Sequence, residues 1–208
     1  MTMTRSTEIL ECPQCGAASK PSDRKCLYCK SEFFISSLAY LGSFPPQGIA
    51  KYLKHYKQLI SQNADDLEGT LGLGLCYLQM GTYDLAQKYF ERVIALSPDL
   101  SQAYYYAALG IIRGRRLMTL SLNEVRRIES YLNTAILLDS DRPHYKVLLA
   151  MLKRDYYQTN GMRVSPPNAS ELLLEAAECS VDRYEAVKLS ETVKVADLEF
   201  YFRNLNVS

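Results

Sequence analysis

Apolar residues recur at intervals of three and four over residues 47–62, and this spacing predicts an amphipathic helix. The positions that form the stripe are Ile49, Leu53, Tyr56 and Ile60. Lysine and glutamine residues occupy the opposite face, where we expect solvent. The preceding residues 37–48 include Pro45 and Pro46. Tandem prolines neither continue a helix nor join a sheet ladder, so we expect a linker at 37–48.

Residues 67–100 carry a more detailed order of small and large apolar residues. Gly74 and Ala86 lie where two antiparallel helices must approach closely. The order resembles that of a tetratricopeptide repeat (TPR), although Thr70 and Val93 stand where that family usually has tryptophan and alanine. The positions that carry the resemblance are Leu73, Gly74, Tyr77, Gly81, Tyr83, Ala86, Phe90, Leu96 and Pro98.

The TPR resemblance implies neighbouring repeats, because one helix pair cannot bury its own apolar face. Residues 101–142 align with 67–100 as an extended repeat, and the extra residues fall at 113–121. A partial repeat follows at 143–158. We therefore predict a mainly α fold: a TPR-like α-solenoid of antiparallel helix pairs over residues 49–208, preceded by a small N-terminal β module.

The repeat pattern is lost beyond residue 158. We expect capping helices over 169–205, because the open end of a helical array needs a cover. Within this segment, residues 193–205 alternate between apolar and polar positions, as a strand does, whereas their surroundings favour a helix. We prefer the helix.

Four cysteines near the N-terminus form two Cys-X-X-Cys pairs with ten residues between them: Cys12, Cys15, Cys26 and Cys29. Two such turns can hold one metal ion tetrahedrally, and thiolate ligands suit Zn²⁺. The segment 10–36 resembles a zinc ribbon, and we assign residues 1–36 to this module. The resemblance implies that Tyr28 and Phe33 pack beside the second turn and that Lys30 occupies a position usually held by glycine.

Disulfides and a redox pair are the alternatives to zinc at these cysteines. Disulfides require an oxidising compartment, and a redox Cys-X-X-Cys is expected near a βαβ pattern, which this sequence lacks. Four thiolate ligands leave no coordination position for a substrate. We therefore expect one structural Zn²⁺ and no catalysis by it.

The TPR resemblance also implies which residues line the concave surface. These positions are apolar, which favours an apolar or amphipathic partner segment; the alternative is that the chain's own C-terminal helices fill the groove. The predicted groove residues are Leu71, Leu75, Leu78, Tyr105, Leu109, Ile112, Val147, Leu148 and Met151.

Arginines cluster around the predicted insertion: Arg113, Arg115, Arg116, Arg126 and Arg127. One interpretation is a contact for acidic protein or phosphate; the other is a solvated turn and an exposed helix face. Residues 171–199 hold eight carboxylates against three bases. A match between this acidic segment and the arginines, within one chain or between chains, is a further hypothesis.

Composition narrows the classes of function. The 208 residues are 48% apolar and carry a formal net charge of +1, so no overall attraction to nucleic acid or membrane is implied. The first residues lack an apolar signal-peptide region and no stretch is long enough to span a bilayer, which favours the cytoplasm. His55 and His144 have no catalytic partner at a recognisable spacing, so we do not expect an enzyme.

These features together predict a non-enzymatic adaptor that binds another protein through the TPR-like groove, the zinc ribbon or both. The alternative is a regulatory factor that touches nucleic acid through the ribbon, which the nearly balanced charge of that segment does not favour. The oligomeric state stays open.

Overall fold

The computed structural model describes residues 10–19, 23–35, 37–180, 182–203 and 205; parts of the predicted ribbon (1–9, 20–22 and 36) lie outside them. A two-residue antiparallel ladder pairs Leu10 with Ser19 and Glu11 with Ala18. The strands and helices are β1 (Leu10–Glu11), β2 (Ala18–Ser19), α1 (Leu38–Gly42), α2 (Pro46–Gln62), α3 (Leu67–Gln79), α4 (Tyr83–Leu96), α5 (Ser101–Ile112), α6 (Leu122–Leu138), α7 (Pro143–Leu152), α8 (Ala169–Ala177), α9 (Arg183–Thr192) and α10 (Leu198–Phe202).

The helices pack in successive antiparallel pairs, and the predicted fold class is confirmed. Helix α3 packs on α4, α5 on α6 and α7 on α8, while α4–α5 and α6–α7 contacts join consecutive pairs. The close approach predicted at Gly74 is present, because a Cβ there would lie 2.5 Å from the Phe90 ring. Phe90 and Ala86 are fully buried between the two helices.

Local signals begin and end these helices. The Asp66 carboxylate accepts a hydrogen bond from the Gly69 amide at 2.6 Å and caps α3. Asn168 and Glu171 form a reciprocal capping box at the start of α8. Helix α5 ends at Arg113, whose φ is 55°.

The segment 113–121 is anchored to the core even though it interrupts the repeat. Leu117 lies in a single 3-10 turn and is almost fully buried, as is Leu120. The extra residues therefore add to the core.

The predicted linker 37–48 contains α1 and the first residues of α2. Ser37 caps α1 by accepting a hydrogen bond from the Tyr40 amide. Pro46 occupies the first turn of α2, where a missing amide hydrogen is no disadvantage. These residues thus form part of the packed structure.

The C-terminal segment combines both conformations considered for residues 193–205. Val193 is extended and Lys194 forms an isolated parallel bridge with Arg116, whereas α10 is helical. Asp155, on the π-helical continuation of α7 (Lys153–Gln158), accepts hydrogen bonds from the Ala196 amide at 2.9 Å and the Tyr201 hydroxyl at 2.5 Å. This buried carboxylate holds the C-terminal segment against the array, and the sequence pattern gave no sign of it.

Candidate functional site

The four N-terminal cysteines converge in space. The Sγ atoms of Cys12 and Cys29 are 3.5 Å apart, and those of Cys15 and Cys26 are 3.6 Å apart. All four sulfur atoms lie within 4.8 Å of one another. Zinc–sulfur bonds of about 2.3 Å give sulfur–sulfur separations of about 3.8 Å in a regular tetrahedron. The donor set therefore fits one tetrahedral metal ion such as Zn²⁺, held by protein ligands alone.

The turn around Cys26 and Cys29 also has the electrostatics of a metal-binding knuckle. The Cys29 amide donates to the Cys26 sulfur and is the main cause of the lowered pKa of that thiol. Burial opposes ionisation of Cys29, but the hydroxyl and amide of Ser31 outweigh it and lower the pKa to about 6. Lys30 adopts φ 62°, the conformation for which glycine is usual. Backbone and side chains thus favour thiolates at this turn.

Three tyrosine hydroxyl groups join the ribbon to α1 and α2. The Tyr52 hydroxyl donates to the Glu32 carbonyl at 2.6 Å, while Tyr40 accepts from the Glu32 amide at 2.9 Å. Tyr56, fully buried, accepts from the Ile35 amide at 2.8 Å. Because these bonds satisfy backbone groups of the ribbon, the ribbon is docked on the array and is not a separate arm.

The first knuckle faces α2 as well. The Gln14 side chain donates to the Gly48 carbonyl at 2.9 Å, and Lys51 donates to the Gln14 carbonyl at 2.6 Å. A cleft of about 410 Å³ remains beside this contact, lined partly by Lys54 and His55. Burial lowers the pKa of His55.

The second knuckle points into solvent. Leu27 and Tyr28, between the two cysteine ligands, are 70% and 77% exposed. The expectation that Tyr28 packs beside the knuckle is wrong, because Phe33 fills that space and is buried against Cys12 and Cys26. Two large apolar side chains are therefore presented on a turn that a metal ion would hold rigid. We call Leu27 and Tyr28 the knuckle tip.

The nine predicted groove residues come together, but they are not open to a partner. None is more than 8% exposed, and all belong to the main core. An open groove is thus not the arrangement of this structure. The alternative, in which the C-terminal helices fill the groove, holds in part: α9 supplies part of the cover, and α1, in the predicted linker, supplies the rest. The residues concerned are Leu71, Leu75, Leu78, Tyr105, Leu109, Ile112, Val147, Leu148 and Met151.

Helices α1 and α9 cover the concave surface. Helix α1 packs on α3 and α9, and α9 also contacts α7. A seam with no room for a water molecule separates α9 from α5, with Tyr105 and Leu109 on one side and Glu185 and Leu189 on the other. The acidic residue Glu185 therefore lies against an apolar surface.

Burial shifts the pKa values of both Glu185 and His144. Desolvation raises the pKa of Glu185, with Asp182 acting in the same direction, while a hydrogen bond with Ser37 opposes the shift. His144 contacts the Tyr105 ring, and burial lowers its pKa to about 4. The histidine is therefore neutral at neutral pH.

Ion pairs largely neutralise the predicted basic cluster. Arg113 pairs with Asp84 and Arg127 with Glu91, both carboxylates on α4. A further pair joins Arg115 to Glu124 at 2.5 Å and lowers the pKa of that carboxyl to about 2. Arg116 and Arg126 are exposed. A contact with acidic protein or phosphate stays a prediction for this cluster.

The hypothesis that the acidic C-terminal segment matches this arginine cluster is not supported by the pairs seen within the chain. Glu175 pairs with Lys146 and Asp197 with Arg154. The arginines instead use carboxylates of α4 and α6. The two charged groups therefore find different partners.

Comparison with known families matches the helical part of the chain. Residues 71–100 match the tetratricopeptide repeat family. The match covers most of α3 and all of α4, the pair whose close packing at Gly74 the sequence predicts. No curated protein matches the chain. Among the described helices none is both long and apolar enough to cross a membrane.

Proposed function

We propose that this protein is a non-enzymatic adaptor that binds other proteins, with one structural Zn²⁺ held by the ribbon. The observation that carries the proposal is the knuckle tip: Leu27 and Tyr28 are exposed on a turn fixed at both ends by metal-ligating cysteines. Large side chains on a backbone turn that is already fixed cost little backbone entropy when they bind, which suits them as anchors of an interface.

The concave surface of the repeat array is the second proposed binding surface. A TPR match supports protein recognition by this part of the chain, and the nine groove residues supply an apolar surface suited to an amphipathic segment. Because α1 and α9 cover these residues, partner binding there requires one of the two helices to move.

The cytoplasm is the compartment that suits this function. None of the described cysteines forms a disulfide, and structural zinc on thiolates is compatible with a reducing environment. We therefore place the adaptor in the cytoplasm.

A capture experiment tests the proposal at the knuckle tip. Cross-linking in cell extract should capture a partner with the wild-type chain and at least about tenfold less with a Leu27→Ser, Tyr28→Ser double variant. Leu137→Ser on α6 is the matched control, since Leu137 is 86% exposed and distant in sequence. Equal capture by all three chains, with zinc content unchanged, would refute the tip as a docking site.

Nucleic-acid binding is the second candidate function, and the bases around the tip favour it. Arg24, Lys25 and Lys30 are exposed there. However, Lys25 pairs with Glu32 at 3.2 Å and the chain carries a net charge of only +1. A salt titration with generic DNA and RNA distinguishes the two functions: a steep loss of affinity with added salt would replace the adaptor proposal.

A further inference from the structure

Helix α9 is a polar helix that occupies an apolar surface. Its buried apolar residues are Ala186 and Leu189, and Val193 follows directly after its last turn. These three residues recur at spacings of three and four, so they lie on one face. They form only half of the surface that α9 turns toward the array.

The other half of that surface is polar. Glu185, Lys188 and Thr192 line the seam opposite Tyr105 and Leu109. Burying a carboxylate removes it from water. One hydrogen bond from Ser37 does not make good that loss, because the pKa of Glu185 stays raised by desolvation. A helix with apolar residues at these three positions would match the same wall better.

Most polar contacts of α9 are made within α9 itself. Lys188 pairs with Glu191, and Ser190 and Thr192 donate to backbone carbonyls of the same helix. Glu185 makes a hydrogen bond to Ser37, beside the start of α1. Breaking the contact between α9 and the array therefore leaves most of these bonds intact.

Helix α1, by contrast, is fixed to the array. The Leu38 amide donates to the Tyr106 hydroxyl at 3.3 Å, and Leu41 is fully buried. Tyr40 also binds the ribbon through the Glu32 amide. Of the two covering helices, α9 is the one that can leave with the smaller loss of contacts.

We propose that α9 is an exchangeable internal ligand of the concave surface, displaced by an amphipathic helix from a partner protein. That helix presents apolar residues where α9 has Glu185, Lys188 and Thr192, in addition to those that match Ala186 and Leu189. The contacts of Asp155 with Ala196 and Tyr201 keep α10 in place while α9 leaves. The inference rests on the proposed adaptor function. It adds that α9 controls the access of a partner to the concave surface.

A peptide made from the chain's own sequence tests the exchange. The probe is a fluorescent synthetic peptide of residues 182–193 carrying Glu185→Leu, Lys188→Leu and Thr192→Leu, and the native 182–193 peptide is its control. Fluorescence anisotropy should show the substituted peptide binding the full-length chain at least about tenfold more tightly than the native one, because it buries more apolar surface.

Two chain variants show whether the peptide competes with α9. Leu189→Ala weakens the resident helix and should tighten peptide binding by roughly tenfold, because a larger fraction of chains has a free surface. Glu185→Leu in the chain improves the resident helix and should weaken peptide binding by roughly tenfold. Equal peptide affinity for wild type and both variants would overturn the inference, as would no binding to any of them.

Hydrogen exchange tests whether the peptide takes the place of α9 on the array. At saturating peptide, amides of α9 should lose protection while those of α3 and α5 keep it; unchanged protection of α9 would also contradict the exchange. A chain carrying Leu27→Ser and Tyr28→Ser should bind the peptide like wild type. The experiments therefore distinguish a failure of the α9 displacement from a failure of partner docking at the knuckle tip.

Discussion

The N-terminal ribbon and α9 are both additions to the same helical array, but they are attached in different ways. In the ribbon, the amides of Glu32 and Ile35 donate hydrogen bonds to the hydroxyls of Tyr40 and Tyr56. The Glu32 carbonyl accepts one from the Tyr52 hydroxyl. Helix α9 contributes two buried apolar residues and turns charged groups toward an apolar wall. Hydrogen bonds to backbone groups thus tie the ribbon to the array, although the ribbon keeps a small core of its own. By contrast, α9 places polar groups in the seam where it meets the array.

This difference shows that burial alone does not measure how firmly an element is held. Tyr105 and Leu109, which face α9, are 2% and 1% exposed and so nearly as buried as Tyr52 and Tyr56 are under the ribbon. What differs is the loss on separation: the ribbon leaves backbone groups without partners, while α9 regains hydration for its polar residues. The following predictions probe that difference, beginning with the largest effect.

Loss of the metal should destabilise the whole chain. In Cys26→Ser the ribbon loses a ligand and the folding free energy that metal binding supplies, and the buried rings of Tyr52 and Tyr56 become accessible. Burial of each such ring contributes about 1.5–3 kcal/mol, so we expect a loss of at least about 3 kcal/mol. Thermal melting followed by circular dichroism at helical wavelengths measures it.

The control for this prediction is Cys179→Ser, which removes a half-buried thiol outside the metal site. It should keep both bound zinc and the melting temperature. If Cys26→Ser loses zinc but the helices melt as in wild type, the ribbon is an independent module and the contrast with α9 fails.

Removing one tyrosine hydroxyl should have an intermediate effect. Tyr56→Phe keeps the ring but leaves the buried Ile35 amide without its acceptor, which costs about 1–3 kcal/mol. Urea denaturation gives the difference in the free energy of unfolding. Tyr184→Phe on α9 is the matched control because Tyr184 is 76% exposed; equal stability of the two variants would show that the hydroxyl contact does not hold the ribbon.

The smallest expected effect is the dependence on pH of the stability of α9 against the array. Burial and the neighbouring Asp182 raise the pKa of Glu185, against the opposing influence of Ser37 and Arg142. Across the seam lie Tyr105 and Tyr106, whose own pKa values burial raises well above the usual range, so they stay neutral. Lys188 lines the same seam from α9.

The sign follows from the raised pKa of Glu185. The folded chain keeps the proton of the Glu185 carboxyl to higher pH than the unfolded chain does. The stability that this group contributes is therefore fully present below the ordinary carboxyl pKa and is lost as the pH rises through the raised value. Protection factors of α9 amides should therefore fall as the pH rises above the ordinary carboxyl pKa of about 4.3. Glu185→Gln should flatten this fall, and the exposed control Glu178→Gln should not; identical profiles in both variants would exclude Glu185 as the cause.

The spacing of residues along the chain predicted the features that the local sequence determines. The helical stripe over 47–62, the approach at Gly74 and the positive φ at Lys30 all follow from a residue's own neighbours. Residues 193–205 were ambiguous because their conformation depends on Asp155, a distant residue that holds Ala196 and Tyr201. Of the three tyrosines that fix the ribbon, only Tyr56 belongs to the predicted apolar stripe. Nothing in the sequence marks the hydroxyl partners of Tyr40, Tyr52 or Tyr56.

The sequence by itself determined the donor set of the metal site and the helical repeat, because ligand spacing and helical periodicity are properties of short segments. Only the tertiary structure decided what covers the concave surface, where Tyr28 points and which carboxylates the arginines bind. Those outcomes depend on contacts between residues far apart in the chain, where several partners of similar chemistry compete. The polar face of α9 is visible in the sequence, but the surface that it meets is supplied by α5, about 75 to 90 residues earlier.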